Sequence, residues 1–210
     1  MTSRAEDAGT GEDAPRRDDA RSRMGMWLFL LSELLLFGGL FVAYAAYRSI
    51  HRADFHHAAA ELNVILGVSN TIVLLTSSLT VALGVQALRE GRDRIVPLWI
   101  CATIVLALLF LGVKAIEWTA KYQHGLFPGL PGLGALPPGE RLFFGLYFAT
   151  TGLHALHVVA GAAVLAVTST LVARGRVSGD APVIAENAGL YWHLVDVIWI
   201  FILPLFYLAA

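Results

Sequence analysis

The chain has 210 residues, of which 57% are hydrophobic and 15% charged, against roughly 45–50% and about 25% in soluble domains. A soluble monomer of that composition would expose aggregating apolar patches, so a membrane protein is expected. Its 15 basic and 16 acidic residues leave a formal charge of -1, which gives no field of one sign to recruit nucleic acid.

In chain order, residues 1–23 carry six acids, five arginines and hardly any large apolar side chain. Such a segment cannot bury enough surface to fold and predicts a disordered tail, with residues 24–210 forming the membrane domain. Five apolar runs then appear at approximately 25–47, 64–88, 95–118, 142–172 and 187–209, each about 20 residues or longer, as a bilayer core requires. The first is too long for a signal-peptide core and ends in Tyr44 and Tyr47, so it is read as a retained span. Cys101, the single cysteine, lies inside the third run; it excludes an internal disulfide and is expected to be a small buried hydrophobe. The Pro/Gly-rich stretch 127–139 predicts a loop ordered by proline rather than by helix or sheet. The fourth run exceeds the hydrocarbon thickness and is expected to tilt or project into water. The fold class is therefore an all-α membrane protein, a bundle of five transmembrane helices.

Lys and Arg are retained on the cytoplasmic side. Ten of them fall in the tail (Arg4, Arg16, Arg17, Arg21, Arg23) and in the second and fourth loops (Arg89, Arg92, Arg94, Arg174, Arg176), against four on the other side (Arg48, Arg52, Lys121, Arg141). That distribution predicts a cytoplasmic N-terminus and an outside C-terminus.

Seven ionisable groups lie within the runs: Glu33, Lys114, Glu117, His154, His157, His193 and Asp196. Each costs at least a few kcal/mol in hydrocarbon, so each is expected to face protein or water and to have a partner. Glu33 is the deepest acid of the first span, about 12 Å from its inner end, and its desolvated carboxyl either holds two helices together or handles a proton. Lys114 and Glu117, three apart, predict a structural ion pair from which Lys114 can snorkel outward. His154 with His157, and His193 with Asp196, repeat that spacing, so each pair is expected on a single helix face. Facing pairs of this kind can build metal centres, but His154 sits well inside its span and His193 near the inner membrane face. No metal site is therefore assigned, and the histidines are expected to hydrogen-bond between helices or to a lipid headgroup. Gly38, Gly39, Gly152 and Gly161 predict close helix packing, and Thr76, Ser77, Ser78 and Thr80 interhelical hydroxyl bonds.

The segments YWHLVDVIWIFILPLFY in the fifth span and GLYFATTGLHALHVVAG in the fourth resemble subunit III of the haem-copper terminal oxidases. MGMWLFLLSELLLFGGLFVAYAAY, NTIVLLTSSLTVALGVQALREGRDR and LGVKAIEW agree in order and spacing, so the resemblance covers essentially Met24 to Ala210. It implies a non-catalytic membrane subunit that packs beside the catalytic subunit I, with subunit II and others in the complex. Haem and copper then reside in partner subunits and none in this chain. The resemblance also implies phospholipid held between helices, protection of subunit I during turnover, support of its proton uptake, and a place in the bacterial plasma membrane. Glu33 matches the family's intramembrane glutamate, His154, His157, His193 and Asp196 its HxxH and HxxD pairs, and Glu117 the acid of its EY/EW motif, where Lys114 replaces the usual glutamine. The longer family form has seven helices; this chain holds the latter five. That short form is similar to subunit III of quinol oxidases, of some bacterial cytochrome c oxidases, and of an accessory protein of nitric oxide reductase. Two other classes stand beside it: a proton-coupled transporter using the same groups as a relay, and a stand-alone membrane metalloenzyme.

Overall fold

The computed structural model describes residues 13–179 and 182–208. Its helices are α1 (Asp13–Ile50), α2 (Arg52–Ala60), α3 (Val64–Arg89), α4 (Val96–Gln123, after one 3-10 turn at Asp93–Ile95), α5 (Pro131–Gly134), α6 (Pro138–Ala173) and α7 (Val183–Phe206). Five of them, α1, α3, α4, α6 and α7, are long and apolar enough to cross a bilayer. No strand occurs among the described residues.

Local chemistry sets the helix ends. Asn63 caps α3 by accepting a hydrogen bond from the Leu66 amide at 3.1 Å, and Pro97 and Pro138 occupy first turns, where a missing amide hydrogen costs nothing. Helices α3, α4 and α6 end alike, on Gly91, Gly125 and Gly175 with φ of 70°, 75° and 66°. In each, the next amide reaches back five residues, from Arg92 to Ala87, Leu126 to Lys121 and Arg176 to Leu171. These are Schellman caps, which need a residue that tolerates positive φ.

Several expectations change. The tail reading for residues 1–12 lies outside the described residues, but from Asp13 the backbone is already helical, because α1 extends outward from its long apolar segment and Arg23 is tied to Glu186 at 3.0 Å. The 127–139 stretch is not wholly a proline-ordered loop, since Pro131–Gly134 makes one helical turn and α6 starts at Pro138. Helix α2 lies between the first two spans and buries Phe55, Ala58 and Ala59 against α6. Its Asp54 carboxylate accepts the Gly139 amide at 3.1 Å, satisfying a free donor in the first turn of α6. Cys101 is exposed, not buried, and nothing within 4 Å would meet a Cβ on Gly38 or Gly39; in an all-apolar helix no periodicity separates a lipid-facing from a protein-facing position.

The spans alternate in direction. α3 pairs with α4, α6 packs on both α4 and α7, and α3 also contacts α7. α1 lies outside this four-helix core against α6 and α7. It buries Leu30, Phe37 and Tyr44, a stripe of heptad spacing, and leaves Trp27, Leu31, Leu34, Leu35 and Val42 exposed. The interior is aromatic, with Trp192, Trp199, Tyr147, Tyr207, Phe110 and Phe143 among its largest fully buried side chains. Apolar burial drives no association in lipid, so close packing and ring contacts must. Gly161 permits one such contact: a Cβ there would lie 2.9 Å from Trp192 and 3.0 Å from Tyr191. Gly161→Val is expected to lower stability by about 1–3 kcal/mol through overpacking, whereas Gly38→Val leaves the thermal unfolding of the detergent-solubilised chain unchanged.

Candidate functional site

The ionisable groups within the spans form three clusters. In the first, the Lys114 ammonium donates to Glu117 Oε2 at 3.1 Å, Tyr147 Oη at 2.8 Å and Tyr207 Oη at 2.7 Å. Tyr147 and Tyr207 donate in turn to Glu117 Oε1 at 2.8 and 2.7 Å. The expected ion pair is present, but Lys114 does not snorkel: its side chain is 4% exposed and that of Glu117 5%. Three donors on the carboxylate and three acceptors on the ammonium offset the desolvation of both charges. The two tyrosines were not singled out from the sequence; their signal was a phenol inside each of two apolar runs, which must find a partner when buried.

In the second cluster α1 meets α6. His157 Nδ1 lies 2.8 Å from the Leu153 carbonyl, and its Nε2 2.8 Å from Glu33 Oε2. A carbonyl only accepts, so Nδ1 carries a hydrogen and donates it. The contact between Nε2 and Glu33 therefore holds one proton, placed either on the carboxyl or on the imidazole, and the pair is neutral overall in both forms. Phe37 packs edge-on to the His157 ring at 5.3 Å. His154 does not share this face. It turns toward α4 and α7, where Phe110 and Trp199 pack on its ring at 5.6 and 5.1 Å. It is 0% exposed and neither ring nitrogen has a hydrogen-bond partner, an arrangement that costs roughly 1–3 kcal/mol.

In the third cluster α3 and α7 run antiparallel through matched polar pairs. Trp192 Nε1 donates to Ser77 Oγ and Trp199 Nε1 to Thr71 Oγ1, both at 3.0 Å. His193 Nδ1 lies 2.6 Å from Ser78 Oγ, as an interhelical histidine bond was expected to. Asp196 departs from that expectation. It is buried, with 3% exposure, and neither carboxyl oxygen makes a hydrogen bond, although Ser78 is its neighbour on α3. At the nearby end of the bundle Glu186 takes Arg23 at 3.0 Å and Arg89 at 2.7 Å, joining α1, α3 and α7. Among the described residues no three His, Cys, Asp or Glu side chains converge as a metal centre.

The family described as cytochrome c oxidase subunit III matches residues 17–210. The chain belongs to this family. It is 32% identical over 194 residues to a cytochrome c oxidase subunit 3 of Corynebacterium diphtheriae, covering 89% of this chain and 90% of that protein. It is 28% identical over 203 residues to a probable quinol oxidase subunit 3 of Staphylococcus epidermidis, covering 94% of each. It is also 33% identical over 197 residues to a heme-copper oxidase subunit I+III of Aeropyrum pernix, covering 89% of this chain and 22% of that protein. Family and spans make the chain a multi-pass plasma-membrane protein, and in this chain the first cluster ties together α4, α6 and the C-terminal cap of α7. Glu117→Leu strands the Lys114 ammonium and is expected to cost about 3–5 kcal/mol. The double variant Lys114→Met/Glu117→Leu should regain most of that loss in thermal unfolding, and strictly additive single effects would show that the pair is not coupled.

Proposed function

We propose that the chain is the non-catalytic subunit III of a haem-copper terminal oxidase, seated beside the oxygen-reducing subunit I with subunit II in the same complex. Haem and copper belong to those partners. The observation that carries this reading is the match along residues 17–210 to the family, strengthened by a relative whose name joins subunits I and III in a single protein. The orientation that accords with the arginine distribution has Arg23, Arg89 and Glu186 at the cytoplasmic face and α2 outside.

Within that role Glu33 and His157 form a proton-holding pair on the helix least embedded in the bundle. Protonation and the attachment of α1 are linked there, because removing the shared proton turns the Nε2 lone pair against a carboxylate. Phospholipid fits a groove of about 440 Å³ between α1, α6 and α7, lined by Met26, Phe29, Val164, Ile184 and Tyr191 among others. Its walls suit an acyl chain. Tyr147, Tyr207, Lys114 and Glu117 serve structure, and no chemistry is assigned to them.

In the assembled complex Glu33→Gln preserves a hydrogen bond to His157 but cannot exchange a carboxyl proton, while Glu33→Ala removes both. Both variants are expected to leave the haem content and the initial oxygen-reduction rate unchanged. Glu33→Ala should shorten the active lifetime of the enzyme, and Glu33→Gln should slow proton uptake more than it shortens that lifetime. Loss of haem in either variant would make Glu33 an assembly residue instead. A mild-detergent preparation of the chain should carry a haem-bearing subunit; isolation of the chain alone in fully native form would count against the assignment.

A further inference from the structure

A cleft of about 480 Å³ opens at the arginine-rich end of the bundle between α1, α3 and α7. Arg23, Gln86, Arg89, Glu186 and Asn187 line it near the helix ends, and His193 lines it deeper, seven residues or about 10 Å along α7 from Glu186. Behind His193 is Ser78, whose Oγ lies 2.6 Å from Nδ1. One turn further along α7, next to the same serine, sits the Asp196 carboxyl with neither oxygen hydrogen-bonded. Asp196 lies ten residues, about 15 Å, from Glu186, which is roughly half of a 30 Å hydrocarbon core. Beyond it the helix is closed by Trp199, packed on Phe110 and bonded to Thr71. The cleft, polar at its mouth and apolar along walls that include Trp27, Val85 and Leu190, thus ends at His193, and Ser78 links that imidazole to the intramembrane acid.

A carboxyl kept only to hold helices together is expected to have donors around it, as Glu117 does. Asp196 has none. We propose that the cleft is a proton well, through which water at the arginine-rich face loads and unloads one proton on Asp196 by way of His193 and Ser78. In the loading step, water gives a proton to His193 Nε2. The imidazolium passes its Nδ1 proton to Ser78 Oγ while the hydroxyl's own proton moves to the Asp196 carboxylate. One proton leaves the cleft and one arrives at Asp196, no electrons move, and His193 returns to its first tautomer when the proton leaves Asp196 by the same path in reverse. The charged groups facing the path are Arg23 from α1, Arg89 from α3 and Glu186 from α7. α4 contributes the uncharged Thr103 hydroxyl, bonded to Thr80, and at the closed end the Lys114 ammonium, 5.4 Å from the Trp199 ring, on which His154 of α6 also packs. Glu186 holds both arginines at the mouth, so the cleft entrance is lined by paired charges about 15 Å from Asp196. The inference goes beyond the function proposed above, which uses neither His193 nor Asp196, and does not depend on which subunits accompany the chain.

The test is infrared spectroscopy of the protein, purified with whatever subunits accompany it, in lipid nanodiscs. A carbonyl band of a protonated carboxyl that disappears in Asp196→Asn is expected near neutral pH, and in the wild type it should shift on transfer to D2O within the mixing time. Ser78→Ala and His193→Phe break the relay, and Ala82→Phe fills the cleft from a wall position without touching the relay; each should slow the shift by about tenfold or more. Loss of no band in Asp196→Asn, or equally fast shifts in all three other variants, would overturn the proposal. Should Asp196→Asn fail to accumulate, the wild type against Ala82→Phe and Ser78→Ala still decides it, slow exchange in both supporting the well and unchanged exchange refuting it. Failure of the chain to co-purify with a haem-bearing subunit would speak to the function proposed above and leave these rates interpretable.

Discussion

Hydrocarbon offers no water to a stranded donor or acceptor, so a polar side chain inside the bilayer that is not satisfied from within the protein carries a cost. In this chain that constraint converges on α7. It hydrogen-bonds to α1 through Tyr44 and the Leu205 carbonyl, to α3 through Thr71, Ser77 and Ser78, to α4 through Lys114 and Glu117, and to α6 through Tyr191 and the His157 carbonyl. No apolar driving force between helices could fix their register in lipid as these directional bonds do. The most buried of the five spans is accordingly α7.

The same constraint separates the bundle into parts with different duties. The four-helix core holds the charges that are fully enclosed, with Lys114 and Glu117 locked by two phenols. α1 is fastened at three levels, by Arg23 to Glu186, by Glu33 to His157 and by Tyr44 to Leu205, and otherwise presents aliphatic side chains to its surroundings. Of the three fastenings the middle one joins a carboxyl to an imidazole at 2.8 Å. Asp196 stands apart from both groups, since Ser77, Ser78, Trp192 and Trp199 bond elsewhere and neither of its oxygens is hydrogen-bonded. A subunit that performs no redox chemistry can still hold protons, and in this bundle the groups able to do so lie on the α1 and α3 sides of the core.

Much of the architecture was legible in the amino-acid order. Runs of apolar residues of bilayer length placed the five spans close to where they lie, and the Lys114 and Glu117 spacing gave their pairing. Other features had no one-dimensional signal. Glu33 and His157 are 124 residues apart and meet only because α1 and α6 run antiparallel at that depth. His154 and His157 were expected together, yet three residues turn a helix by about 300°, enough to send one ring to α1 and the other to α4 and α7. Helix α2 is too short and too polar for a span and owes its place to three small or aromatic side chains buried against α6. The exposure of Cys101 and of Gly38 and Gly39 was hidden because lipid and protein interior are equally apolar, so neither face of a span is marked by composition. Tyr147 and Tyr207 were passed over as ordinary aromatics, although a buried phenol always implies a partner.

The central claim is that this chain sustains an oxygen-reducing neighbour without supplying its chemistry. The most direct measurement is the turnover of the oxidase complex with and without the chain, followed from the first turnovers to inactivation. The account predicts equal haem content and an equal initial rate per haem, with a markedly shorter active lifetime when the chain is absent. An initial rate that collapses on removing the chain while haem is retained, or a lifetime that does not change, would contradict it.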